Sequence, residues 1–204
     1  MYGSSLDEAR IASYRVASAT SVELVKSISV DSACPGTANA YGMTSGFNLA
    51  LDTAPYYVVD ASWSCGMSIS VDKTGALDRV VDFWPYTDNS RVHGLALRTV
   101  AGKTLLYSAD VTGDMVWTHS VNTMTGEATE LSRYKLPRAG VGPRHIAAHP
   151  TGPYVYVLTE SGNTIELFPL DSNSGAVAAD ITSYKLVPDG MPSRAPRGLK
   201  VTLA

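Results

Sequence analysis

All four histidines of the chain lie in one stretch of the sequence, at positions 93, 119, 145 and 149. Imidazole is the side chain whose ordinary pKa lies nearest to neutrality, so it donates and accepts protons readily at physiological pH. An acid–base site in this chain would therefore draw on this stretch.

Arg144 lies near the end of the same stretch, in the segment Gly-Pro-Arg-His at positions 142–145. The Gly-Pro pair predicts a turn that presents Arg144 at the start of a strand. A guanidinium is a planar, permanently charged fork that suits a carboxylate or a phosphate. An arginine in this place equally suits an ion pair that seals two neighbouring structural units, and the residues alone leave both interpretations open.

The elements that must position these side chains are strands. Apolar residues occur in short alternating runs rich in Val, Ile, Tyr and Thr, bounded by Gly, Asp, Asn or Ser, which is the pattern of half-buried strands. It predicts a hairpin of strands 10–16 and 22–30 joined by a longer loop at 17–21. Further strands are predicted at 67–71, 105–108, 115–121, 154–158 and 164–170.

The strands recur at a fixed spacing. Matching residues are 49 positions apart in four places, namely Tyr107 and Tyr156, Gly113 and Gly162, Val116 and Ile165, and Gly126 and Gly175. The tripeptide Tyr-Lys-Leu at 134–136 recurs at 184–186, and a weaker third copy covers residues 67–77. A repeated all-β unit of roughly 40 to 50 residues is typical of a propeller blade.

The predicted fold is therefore all-β: a β-propeller in which residues 1–204 form a single domain of about four blades. Four blades are few for a closed ring, and a partial ring leaves unpaired edges that favour association. Either the chain is part of a longer protein, or it closes its ring with another copy as a homo-oligomer. A β-sandwich is the less favoured alternative.

The composition argues against some classes of binding partner. Lys and Arg number 16 and Asp and Glu 19, so bulk charge attracts neither nucleic acid nor an anionic membrane. No apolar run approaches the roughly 20 residues of a membrane span, and the first ten residues lack the pattern of a secretory signal. We expect a cytoplasmic protein. Cys34 and Cys65, without metal-ligand spacing, are predicted to be unpaired thiols.

Several motifs together resemble a known family. The segments are Ser-Arg-Val-His-Gly-Leu at 90–95, Tyr-Ser-Ala-Asp at 107–110, Val-Trp-Thr-His at 116–119, Gly-Pro-Arg-His at 142–145 and Thr-Glu-Ser-Gly-Asn at 159–163. They resemble the lactonase-type seven-bladed propellers, and within them the fungal carboxy-cis,cis-muconate cyclases. The family also includes bacterial 6-phosphogluconolactonases. The resemblance is strong over about residues 90–175, and it implies that the chain supplies about four blades of a seven-bladed ring.

The resemblance implies a site in the central channel. The cyclase site is built from a His, an Arg, a Glu and a second Arg, and the matching motifs place the first three on His93, Arg144 and Glu160. These are the predicted catalytic residues, and Arg144 and His145 are predicted to bind substrate. No position matches the second Arg, because Arg194 and the nearby Arg at 197 lie in a Pro-rich stretch that departs from its motif.

The implied reaction is the cycloisomerisation of 3-carboxy-cis,cis-muconate to a muconolactone, an intramolecular lyase reaction of aromatic catabolism. One substrate carboxylate adds to a double bond while the adjacent carbon takes a proton. Arg144 would hold a small anionic carboxylate substrate and stabilise the charge of the transition state. His93, or Glu160 in its protonated form, would supply the proton. The chemistry needs no cofactor and no metal.

Two other functions stay open. A lactone hydrolase of the 6-phosphogluconolactonase type would use the same residues to position a water and would need further basic residues for the phosphate. A propeller that has lost part of its site would act as a non-catalytic scaffold. Taken singly, Glu160 suits an ion pair at a blade edge, and His119, His145 and His149 suit structural roles. The acidic turn at 171–175 suits an Asx turn better than a calcium loop.

Overall fold

The computed structural model describes residues 1–4, 10–30, 43–49, 55–62 and 64–188. They form four antiparallel sheets, which confirms the all-β prediction. In this part of the chain, no helix is long and apolar enough to cross a membrane. The chain divides into two compact units, of which the first comprises Met1–Asp88 and Asn122–Ala128 and the second Asn89–Val121 and Thr129–Ala204. That residues 1–204 form a single domain stays a prediction.

The first unit holds two sheets. Sheet 1 contains β1 (Tyr2–Ser4), β2 (Arg10–Ser18) and β3 (Ser21–Ser29), and sheet 2 contains β4 (Met43–Leu49), β5 (Tyr56–Ser62), β6 (Cys65–Val71) and β7 (Leu77–Pro85). The hairpin predicted at 10–30 is confirmed. Its loop, however, is a two-residue turn rather than a long one, because Ser18 and Ser21 continue the pairing of the two strands.

The core of the first unit lies between these two sheets. Ile11 and Val30 from the sheet 1 side pack against Val58, Met67 and Ile69 of sheet 2. A hydrogen bond ties the sheets at the same place, since the Leu77 N–H donates to the Ser13 hydroxyl at 3.4 Å.

Cys65, at the start of β6, is buried and disulfide-bonded. The prediction of an unpaired thiol is therefore wrong at this position, and the other cysteine, Cys34, lies outside the described residues. Structural disulfides persist mainly in oxidising compartments. Cysteine usage thus gives no support to the expectation of a cytoplasmic protein.

The second unit holds the other two sheets. Sheet 3 contains β8 (Val92–Val100), β9 (Lys103–Asp110), β10 (Met115–Val121) and β11 (Ala128–Lys135), and sheet 4 contains β12 (Pro143–Ala148), β13 (Tyr154–Thr159), β14 (Thr164–Pro169) and β15 (Thr182–Lys185). Leu105, Tyr107 and Val116 of sheet 3 pack face to face against Val155 and Phe168 of sheet 4. The first strand of sheet 4, β12, contacts both β8 and β9, which brings the two histidine-containing segments side by side.

The repeat seen in the sequence is also a repeat of hydrogen bonds. In the first unit the hydroxyls of Tyr2 and Tyr57 donate to the carbonyl oxygens of Gly75 and Met124, at 2.9 and 2.8 Å. In the second unit the Tyr107 hydroxyl donates to the carbonyl oxygen of Gly175 at 2.8 Å. Each acceptor lies in the connection that precedes the last strand of a sheet. A tyrosine hydroxyl therefore binds such a connection at three successive places.

These connections are built as Asx turns. The Asp171 side chain accepts the Ser174 N–H at 2.7 Å, the Ser174 hydroxyl at 2.8 Å and the Asn173 N–H at 3.1 Å. These bonds lower the pKa of Asp171 below the ordinary value. Asp72 accepts the Thr74 N–H at 2.7 Å in the same way. The turn at 171–175 is therefore an Asx turn, as the sequence indicated.

Candidate active site

His93 and Arg144 each stand at a β-bulge near the start of a first strand. The register of β8 against β9 shifts at His93, which is the extra residue of that pair. The register of β12 against β13 shifts at Arg144 in the same way. A bulge re-aims a side chain and is common beside active sites. The structure thus gives the two predicted residues equivalent positions on two neighbouring strands.

Gly94 allows β8 to approach β12 closely. A Cβ atom at Gly94 would lie 2.6 Å from the carbonyl oxygen of Arg144, 2.9 Å from the amide nitrogen of Ile146 and 3.0 Å from the Cα of His145. All three atoms belong to the backbone of β12, which cannot turn aside as a flexible side chain would. The glycine that follows His93 is therefore what brings the arginine strand within reach.

A buried carboxylate holds the segment before β12. Asp114 accepts the N–H groups of Gly140 and Gly142, at 2.6 and 3.0 Å. Both glycines have positive φ angles, 73° and 65°, which glycine adopts without steric cost. The Glu160 N–H donates to the carbonyl oxygen of Gly142 at 2.7 Å. This bond sets the turn after β13 beside the start of β12, so that Glu160 lies next to Arg144.

Arg144 and Glu160 form an ion pair. The Nε atom of Arg144 lies 3.3 Å from Oε2 of Glu160, and the two side chains are 27% and 33% exposed. Both residues belong to sheet 4 and the turn after its second strand, so this pair joins parts of one sheet. It does not seal two sheets, which was the alternative left open for Arg144.

His93 lies edge-to-face against His145. The two ring centroids are 5.0 Å apart with an interplanar angle of 83°, and Nε2 of His145 is 3.5 Å from Nη1 of Arg144. Burial, then the charge of Arg144, then His145 lower the pKa of His93 from 6.5 to about 4. His93 is therefore neutral at pH 7, whereas the proposed acid chemistry called for a group that titrates near neutrality.

The other two histidines support the scaffold. The Nδ1 atom of His149 accepts the N–H groups of Thr151 and Gly152, at 3.1 and 2.6 Å, within the turn after β12. His119 is 1% exposed and stacks on Trp117, with 6.3 Å between ring centroids. These contacts agree with the structural roles weighed for both residues.

Sequence reasoning missed Asp114, although the repeat holds a signal for it. Asn163 lies 49 positions later, and both residues are buried with positive φ angles, 51° and 52°. Arg194 and the Arg at 197 lie outside the described residues. Within the residues that the structure describes, no three His, Cys, Asp or Glu side chains are placed to hold a metal ion.

Comparison with known sequences identifies a matching protein family and two related proteins. The sequence model of the family "Lactonase, 7-bladed beta-propeller" matches residues 2–198. The chain is 34% identical to a carboxy-cis,cis-muconate cyclase of Neurospora crassa over 154 residues, which are 74% of this chain and 41% of that protein. It is 38% identical to muconate cycloisomerase 1 of Cutaneotrichosporon cutaneum over 71 residues, 35% of this chain and 19% of that one. The chain thus spans less than half the length of these curated relatives.

Comparison with solved structures gives the fold. A protein from Lactobacillus plantarum matches with a TM-score of 0.67 and 22% identity, over 93% of this chain and 53% of that chain. A protein from Bacteroides uniformis, proposed to be a 6-phosphogluconolactonase, matches with a TM-score of 0.66 and 15% identity, over 88% and 51%. These likenesses confirm a β-propeller of which the chain covers about half.

Proposed function

Because the chain belongs to the seven-bladed β-propeller lactonase family, we propose that it is an isomerase that converts 3-carboxy-cis,cis-muconate to a muconolactone, a reaction of aromatic catabolism. The observation that carries this proposal is the cluster of His93, Arg144 and His145, with Glu160 on the arginine. It combines a fixed cation with two protonatable rings, which matches a small substrate with three carboxylates. The identity to a cyclase supports the same reaction.

The reaction balances with one proton. An oxygen of one substrate carboxylate forms a bond to an alkene carbon, and the adjacent carbon takes up a proton. The lactone keeps two of the three carboxylates as anions, so each turnover consumes one proton at neutral pH. The site must therefore bind a trianion and protonate carbon.

Arg144 is suited to the charge that develops in this reaction. Its Nε atom faces Glu160 and its Nη1 atom lies 3.5 Å from Nε2 of His145. Among the described residues the Nη2 atom has no such partner, so it remains as a donor for a substrate carboxylate. As the new C–O bond forms, electron density moves onto the carboxyl group conjugated with the double bond. A guanidinium already oriented by Glu160 stabilises that charge without reorganising.

His93 is the proposed proton donor, and it acquires its proton when the substrate binds. In the free site, burial and secondly the positive charge of Arg144 lower the pKa of His93 to about 4. A bound polycarboxylate offsets this charge and favours the imidazolium form. The Nδ1 atom of His93 is buried and has no hydrogen-bond partner among the described residues.

The test is the loss of diene absorbance when the 204-residue chain is mixed with 3-carboxy-cis,cis-muconate. We expect His93→Gln and Arg144→Gln each to lower kcat by about 10²–10⁴-fold. His119→Gln is the matched control, because it removes another buried histidine of the same unit. A folded chain without turnover, or variants as active as the parent, would contradict the proposal.

A lactone hydrolase is the second candidate, and the neutral state of His93 favours it. A neutral imidazole at pH 7 can accept a proton from an attacking water while Arg144 polarises the ester carbonyl. Hydrolysis of a lactone releases one proton per turnover, whereas cyclisation consumes one. Weakly buffered assays with the muconate and with a sugar lactone therefore separate the two by the sign of the pH change. A folded chain that does neither would be a scaffold.

A further inference from the structure

Tyr156 occupies in sheet 4 the repeat position that Tyr107 occupies in sheet 3, and Tyr107 donates a hydrogen bond to the sheet that follows its own. It lies 49 positions after Tyr107, which is fully buried against sheet 4 and donates to the carbonyl oxygen of Gly175. Tyr57 makes the same kind of bond in the first unit. Among the described residues, the Tyr156 hydroxyl has no such acceptor, and its ring is only half-buried.

The face that carries Tyr156 points away from sheet 3. Val155 and Val157, its neighbours in β13, pack into the core between sheets 3 and 4, and successive residues of a strand point to opposite faces. We call this surface the last outer face. Five of its apolar side chains are half-buried, namely Ala147, Tyr154, Tyr156, Ile165 and Leu167, whereas Leu158 on the same face is buried.

Sheet 1 carries a matching surface in the first unit. Tyr14 pairs with Leu24 and Val16 with Val22, so these four side chains share one face of the β2–β3 hairpin. We call it the first outer face. It points away from sheet 2, because the adjacent Ser13 accepts the Leu77 N–H from the other side. Val16, Val22 and Leu24 are 57%, 54% and 61% exposed, which is unusual for a continuous apolar strip.

We propose that the last outer face of one copy of this chain binds the first outer face of a second copy, head to tail. Sheets 1 and 2 already pack apolar face to apolar face in the first unit, and sheets 3 and 4 do so in the second. The contact between copies repeats that packing.

The same stacking gives Tyr156 its acceptor. In the three pairs within the chain, the tyrosine hydroxyl donates to a carbonyl in the connection before the last strand of a sheet. In sheet 1 that connection is the two-residue turn at 19–20, between β2 and β3. Tyr156 of one copy donates to a carbonyl oxygen of this turn in the second copy. The contact is heterologous, with a different surface on each side.

Light scattering on the full chain tests the proposal. We expect the parent chain to form a dimer or a longer head-to-tail assembly, and we expect Tyr156→Arg or Leu24→Arg to convert it to a monomer. An equimolar mixture of the two variants restores a dimer, because each chain keeps one intact face. Leu131→Arg is the control, since Leu131 is 44% exposed on β11 and belongs to neither face.

A second pair of variants separates association from folding. Tyr156→Phe removes one hydrogen bond between copies and should raise the dimer dissociation constant by up to about tenfold, leaving the unfolding of the monomer unchanged. Tyr107→Phe removes the equivalent bond inside the second unit and should lower the unfolding temperature without changing that constant. The proposal would be contradicted if Tyr156→Phe lowered the unfolding temperature and Tyr107→Phe raised the dissociation constant.

Three results overturn the head-to-tail contact. One is a monomer that unfolds cooperatively at all accessible concentrations. Another is a dimer that Tyr156→Arg abolishes while Leu24→Arg does not, because two last outer faces would then meet each other. The third is a longer natural protein that is monomeric and protects Tyr156 from solvent by further sheets of its own chain.

Discussion

A Cβ atom at Gly94 would lie 2.6 Å from the carbonyl oxygen of Arg144. The backbones of Gly94 and Arg144 can therefore lie this close only because residue 94 has no side chain. His93 precedes this glycine, and His145 follows the arginine. The edge-to-face contact of the two imidazoles at 5.0 Å therefore depends on how closely β8 approaches β12.

Gly94→Ala should separate these two strands. The added methyl group meets backbone on three sides, and overpacking of this kind costs about 1–3 kcal/mol of unfolding free energy. We expect a lower urea midpoint and a loss of turnover larger than the loss of stability explains. Gly3→Ala is the control, because its Cβ would lie 3.5 Å from a Tyr14 ring carbon, an ordinary contact. Equal effects of both substitutions would show that the strand separation is immaterial.

Glu160→Gln should affect catalysis more than stability. The Arg144–Glu160 pair is partly exposed, and such pairs contribute about 0–1 kcal/mol to the unfolding free energy. Without the carboxylate, Arg144 loses its fixed orientation, so kcat should fall at least tenfold while the unfolding temperature stays nearly constant.

The control for this experiment is Glu130→Gln. Glu130 binds Arg133 at 2.9 Å within β11, and its carboxylate is about as exposed as that of Glu160, 34% against 33%. Turnover should be unchanged in this variant. If it falls as far as in Glu160→Gln, the effect of Glu160 is a general consequence of charge.

The sequence predicted the fold because the residues that make the repeat also make repeated contacts. Tyr107 and Gly175 were found by their spacing to other copies, and the structure joins them by a hydrogen bond. The short turn of the first hairpin was missed, because Ser18 and Ser21 look like loop residues and extend the strand pairing only in context.

The sequence also named His93, Arg144 and Glu160, and the structure brings them to one place, while their catalytic roles stay a prediction. The low pKa of His93 could not be predicted, since it depends on burial and on Arg144, 51 positions away. Pairing of Cys65 escaped prediction because spacing alone does not reveal which cysteines meet in space.

Binding of a polycarboxylate should be accompanied by proton uptake. Tricarballylate has three carboxylates and no double bond, so it can occupy the site without reacting. Because a bound anion offsets Arg144 and favours protonated His93, its affinity should rise as the pH falls below 7. Calorimetry in buffers of different ionisation enthalpy should give a positive proton uptake that is lost in His93→Gln and kept in His119→Gln. Uptake of equal size in both variants would assign it to another group.

The buried His119 should make the fold sensitive to acid. Burial, and secondly the charge of Arg133, lower its pKa to about 4, whereas the unfolded chain binds this proton near pH 6.5. Between these values the unfolded state holds more protons than the folded state, so stability falls as the pH drops and this group has no effect above 6.5. The shift corresponds to a contribution of roughly 3 kcal/mol to the unfolding free energy, which is fully present at pH 7.5 and mostly lost by pH 4.5.

Urea unfolding of the parent chain and of His119→Gln at these two pH values tests this. The unfolding free energy should differ less between the two pH values in His119→Gln than in the parent chain. Because His93 acts in the same direction, some acid sensitivity remains in that variant; an undiminished difference would mean that His119 is not held neutral in the folded protein.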